Sequence, residues 1–152
     1  MKAVLLATML LLVPEMSSGQ ERLNLGPRQF EHDTSGKGAV LCAWAIYLSV
    51  QTETAACGRV RNKSDDAIDE AIVVIDQFIL SNSSLKPTQP MLEDFKRRVA
   101  ERDLNAARRQ GLKKFCEMGG TEPLRRFTPE QIRASVKDLL AVPREPVMNP
   151  CL

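Results

Sequence analysis

Histidine is almost missing from this sequence: His32 is the only one among 152 residues. It has no second histidine to complete a zinc ligand set. There is also no Cys-x-x-Cys pair, no Gly-x-Ser-x-Gly elbow, no phosphate-cradling glycine loop and no His-Glu-x-x-His. These gaps remove the common signatures of redox, acyl-transfer, nucleotide and metalloprotease sites. Aromatic residues make up 5% of the chain, which argues against an all-β secreted scaffold and for helices with aliphatic packing. The net charge of +2 gives no reason to expect nucleic acid. No apolar run reaches the roughly 20 residues that a membrane-spanning helix needs.

A shorter apolar run stands at the N-terminus. Met1-Lys2 leads into 11 mostly apolar residues, Ala3 to Val13, then Pro14 and the small residues Ser17, Ser18 and Gly19. Residues 1–19 therefore read as a secretory signal peptide. Ser17 and Gly19 suit positions −3 and −1, and cleavage after Gly19 leaves 133 residues beginning at Gln20. No cysteine lies near that point, which excludes a lipid-anchored lipoprotein and predicts no stable membrane insertion after cleavage. The expected location is outside the cytoplasm, periplasmic in a bacterium and otherwise secreted.

Export gives Cys42, Cys57, Cys116 and Cys151 their meaning, because thiols in an oxidising compartment pair as disulfides. Cys42 and Cys57 are 15 residues apart, roughly 22 Å along a continuous helix. A disulfide needs α-carbons within about 7 Å, so these two do not pair unless that helix breaks. Two connectivities remain. An antiparallel succession of segments favours Cys57 with Cys116 and Cys42 with Cys151.

The mature length fits one domain. Residues 20–37 are polar and aperiodic, with Gly26-Pro27 and Ser35-Gly36 as breakers, and read as a flexible arm. Residues 38–152 read as a helical domain. Its first helix, Gly38 to Cys57, is apolar around nearly its whole circumference and should be buried on most sides, with Gly58 as its C-terminal cap. Ser64-Asp65-Asp66 opens the second, in which Ile68, Ile72, Ile75 and Ile79 recur at helical spacing. The third segment, Pro90 to Met118, is out of phase with itself. Leu92, Phe95, Val99 and Ala106 lie on one face, whereas Leu104, Ala107, Gly111 and Phe115 lie nearly opposite, so a kink or break is expected near Glu101 to Asp103, with Asp103 able to cap the second piece. Thr128-Pro129-Glu130-Gln131 combines a capping box with proline at the first helical position. Ile132, Val136, Leu139 and Leu140 follow on one face, and Pro143, Pro146 and Pro150 extend the tail. The fold class is all-α, a small disulfide-stapled bundle of four to five helices.

Chemistry is sparse. His32-Asp33 is the only local acid–base pair, and it lies in the arm. Asp65, Asp66, Asp69 and Glu70 are explained by helix initiation, where the helix dipole favours acids. No catalytic residue, metal or cofactor is expected. The surface feature left over is basic. Arg98, Arg102, Arg109 and Lys113 would form one stripe on an unbroken helix, and with Arg108 they are the candidate partner-binding set. Interspersed Glu93, Asp94, Glu101 and Asp103 offer the alternative of a solvated face with internal ion pairs.

Leu41-Cys42 with Tyr47, Phe115-Cys116 followed by Thr128-Pro129-Glu130-Gln131, and Pro150-Cys151 together give a layout that resembles the Tai-type periplasmic immunity proteins of type VI secretion. The resemblance implies a non-enzymatic protein that blocks a toxin in the bacterial periplasm. Insect odorant carriers share helices and disulfides, but their closely spaced cysteine pairs are missing here. The sequence thus points first to an exported, non-catalytic helical protein that binds another protein. A carrier of a small apolar ligand and a hydrolase are the alternatives.

Overall fold

The computed structural model describes residues 27–118 and 120–151; the signal peptide and its cleavage site lie outside them. Five α-helices follow in order: α1 Val40–Ala56, α2 Lys63–Asn82, α3 Gln89–Gln110, α4 Leu112–Met118 and α5 Pro129–Leu139. Among the described residues there is no β-sheet, only a single isolated bridge between His32 and Asn149. None of the described helices is long and apolar enough to cross a membrane.

The core forms where α1 and α5 pack on α2. Helix α1 buries Val40, Leu41, Trp44, Leu48 and Val50, as its nearly all-apolar surface requires. The isoleucine face of α2 is buried along its length, Ile68, Ile72, Ile75 and Ile79 being at most 3% exposed. From α5, Ile132 and Val136 close the cluster, with Leu139 and Leu140 packed beside it. Trp44 stacks on Phe95, ring centroids 5.3 Å apart, and donates its indole N–H to buried Asp76 at 2.8 Å. The Lys96 ammonium satisfies the other carboxylate oxygen at 2.6 Å. Burial pulls the Lys96 pKa down, but its bonds to Asp76 and Glu93 outweigh this and raise it.

Several boundaries have local causes. The N-cap of α2 is Asn62 rather than Ser64. Its side chain accepts from the Ser64 and Asp65 amides while Asp65 reaches back to the Asn62 amide, a reciprocal box that a hydroxyl inside the first turn cannot make. Ser64 instead donates its hydroxyl to the Phe127 carbonyl at 2.6 Å. The α5 box between Thr128 and Gln131 forms as the sequence predicts, and Gly58 turns the chain after α1 at φ +58°. The break expected near Glu101 to Asp103 occurs at Gly111 instead. Helix α3 continues to Gln110, and Gly111 ends it at φ +92°, a conformation that glycine adopts without the steric cost of a side chain. Asp103 caps nothing and pairs with Arg102.

The arm is also corrected over its described part. Residues 27–30 form a 3-10 turn, Gln29 is buried, and the Asp33 carboxylate, 2% exposed, pairs with Arg144. Arg144 further donates to the carbonyls of Gly38, Leu139 and Val142. The tail reciprocates, since Met148 N–H donates to Gln29, Asp33 N–H to Asn149, and Leu41 N–H to Val147. Burial pushes the Asp33 carboxyl up, but hydrogen bonds from Ser35 and Arg144 prevail and hold it below the usual carboxylate range.

Candidate partner interface

The expected disulfides are both present. Cys42 joins Cys151 with α-carbons 5.2 Å apart, and Cys57 joins Cys116 at 5.7 Å. The second bridge fixes the neighbourhood of the basic residues, because Cys57 caps α1 and Cys116 lies in α4. Arg59, just beyond the Gly58 turn, bonds the Glu53 carboxylate at 2.7 Å and the Cys116 carbonyl at 3.2 Å, and pairs with Glu122. Next to it Arg125 grips Asp65 with two bonds of 2.8 Å and also donates to the Val60 carbonyl. Hydrogen bonds from Arg125 hold the Asp65 carboxyl below its ordinary pKa against the effect of burial. The Arg125 guanidinium is raised in turn, mainly by its bond to Asp65.

The predicted basic stripe does not survive as one surface. Arg98 pairs with Asp94 and Arg102 with Asp103, while Arg97 bridges Asp94 and Glu101. The upstream half of α3 is therefore a face neutralised by its own acids. Gly111 then takes Lys113 off the α3 axis, so the phase shared by Arg98, Arg102, Arg109 and Lys113 is lost. Four bases remain on either side of the bend. Arg108 and Arg109 end α3, Lys113 and Lys114 begin α4, and all four are exposed. Glu117 lies 3.8 Å from Lys113; among the described residues no acid pairs with Arg108, Arg109 or Lys114. Leu112, 42% exposed, sits at the bend, and Met118, 60% exposed, ends α4.

No protein-family model, curated protein or solved structure matches the chain. Charge and geometry at the elbow are what distinguish this surface.

Sequence reasoning found the bases but missed the device that groups them. Periodicity places Gly111 among the apolar phase positions, although a glycine inside a helical pattern is itself a break signal. Leu112 was also missed. His32 is exposed, and its neighbour Asp33 is committed to Arg144, so the structure does not assemble them as an acid–base pair. Among the described residues no three His, Cys, Asp or Glu side chains group as a metal site. One concavity bears on the carrier alternative. A groove of about 530 Å³ lies between α2 and α5, floored by buried Ala67, Ala71 and Val136 and walled by Val74, Leu140 and Ala141.

Proposed function

We propose that this is an exported, non-catalytic helical protein that binds an acidic protein partner through the elbow between α3 and α4. The observation that carries the reading is that exposed Arg108, Arg109, Lys113 and Lys114 flank exposed Leu112 in the chain at the helix break, with Glu117 the one acid paired to them among the described residues. A compact cationic rim beside an exposed aliphatic side chain is suited to an acidic surface with an apolar centre: charge steers the encounter and desolvation of the leucine holds it. The two disulfides support an oxidising location. An inhibitor of a periplasmic toxin, of the immunity type, is the specific form that agrees with the layout of helices and cysteines.

The test is reversal of charge. The double variant R108E/R109E should keep the helical fold, since both side chains are exposed, and should capture less partner from the source cell envelope. Its loss should lie mainly in the on-rate and shrink as salt is raised, because exposed charges are screened beyond about 8 Å at physiological ionic strength. Unchanged capture and salt dependence would eliminate the elbow. Carriage of a small apolar ligand is the second reading, favoured by the groove between α2 and α5. Native mass spectrometry of protein purified without detergent would show a retained ligand mass if that reading is right.

A further inference from the structure

We infer that the Cys57–Cys116 disulfide positions the cationic elbow and is not a staple of the core, so that the partner surface exists only while this bond is oxidised. The inference rests on the reading of the elbow as the partner site. Three observations lead to it. First, no residue of α4 is buried, and the core cluster with its packed neighbours contains nothing between Phe95 and Leu124. Second, among the described residues, besides its chain connection through Gly111, α4 is held by half-buried Phe115, the bond to Cys57 and the Arg59 contact with the Cys116 carbonyl. Third, the other disulfide has a different setting. Cys42 is 4% exposed in the first turn of α1, and the segment leading to Cys151 contributes buried Pro146 and Val147 to the interior.

A helix as short as α4 has little stability of its own in water and needs tertiary anchorage. With the covalent anchor gone, Phe115 and one backbone contact remain, and the ordering of Lys113 and Lys114 beside Arg108 and Arg109 is lost. A dithiol reductant accomplishes this in two exchanges. One of its thiolates attacks a sulfur of the pair to give a mixed disulfide, and its second thiol displaces the protein sulfur. Two cysteine thiols form as the reductant closes to its own disulfide, a transfer of two electrons and two protons.

Limited trypsin digestion separates the two roles. In the C57S/C116S variant, cleavage after Arg108, Arg109, Lys113 and Lys114 should be about tenfold faster than in the oxidised protein, with the emission of Trp44, the sole tryptophan, unchanged. The C42S/C151S variant should show the reverse: lower resistance of the Trp44 signal to urea, and no preferential cleavage at the elbow. Equal elbow cleavage in C57S/C116S and wild type overturns the inference. So does a shifted Trp44 emission in C57S/C116S without denaturant, which would make this bond a core staple. A deca-glutamate peptide, assayed against oxidised wild type and R108E/R109E, tests the elbow separately. Equal binding to both overturns the partner reading, while fast local cleavage would still establish the positioning role of the disulfide.

Discussion

Replacing Arg125 by Met removes one partner of the most enclosed ion pair among the described residues while keeping much of the side chain's length. Arg125 and Asp65 side chains are 7% and 4% exposed, so solvent screens the pair little. Deleting one member of such a pair costs about 3–5 kcal/mol, because the other charge is left buried without its counter-ion. Asp65 keeps the bond from the Asn62 amide at 2.8 Å, which places the expected loss near the lower end, about 3 kcal/mol at pH 7. The sign of the pH dependence follows from the same contacts. In the native protein the Asp65 pKa is held below 3.8, chiefly by Arg125. Its contribution is therefore complete above that value and lost as pH falls through the lower, folded one. In R125M, burial acts on Asp65 with its main opponent gone, so the carboxyl takes up a proton at higher pH and relieves the penalty. The stability gap between wild type and R125M should narrow as pH is lowered from 7 toward 4. Urea unfolding followed by Trp44 emission measures it. A loss below about 1 kcal/mol at pH 7, the size of an exposed pair, or a gap that does not change with pH, would refute the reasoning.

Ile75 is fully buried on α2, and Ile75→Ala should cost about 2–5 kcal/mol; a loss under about 0.5 kcal/mol, the size of a surface substitution, would show that this face is not the core. Asp33→Asn removes the charge that Arg144 grips, at an expected cost of about 1–3 kcal/mol. It should also speed amide exchange at Asp33, Leu41 and Met148, whose N–H groups bond across the arm and tail. Since the Asp33 pKa is lowered, wild type should develop the same local opening only below about pH 4, from the usual carboxylate value, and protection that persists unchanged at lower pH would contradict the role given to this pair.

The helices were legible wherever a local rule was decisive. The isoleucine spacing of α2 and the Thr128 box of α5 are contained in a few consecutive residues, and the structure has both. The phase conflict within Pro90 to Met118 correctly announced two helices. Its location did not follow, because periodicity averages over turns whereas the break depends on the backbone freedom of Gly111 alone. The disulfide pairing could be argued from helix length and antiparallel order. The docking of residues 27–37 could not. It depends on Asp33 meeting Arg144 across 111 positions of sequence, a contact that no window of local composition contains. The candidate basic set was legible only in part. The interspersed acids Asp94, Glu101 and Asp103 already offered ion pairing as the alternative to a basic stripe, and the upstream half of α3 takes it; the helical wheel could not show the bend at Gly111 that takes Lys113 out of phase.

The meeting of arm and tail also sets an order in time. Gln29, Asp33 and Leu41, among the earliest residues described, take their partners from Val147, Met148 and Asn149, almost the last, and Cys42 finds its sulfur partner 109 positions away. A chain emerging from a ribosome or a membrane pore N-terminus first can form the α2 helix as it appears, but this end of the molecule must wait until residues 144–151 have been delivered. Until then Asp33 lacks Arg144 and α1 lacks the tail against its first turn. The fold is thus suited to closing late, with residues 144–151 acting as the clasp.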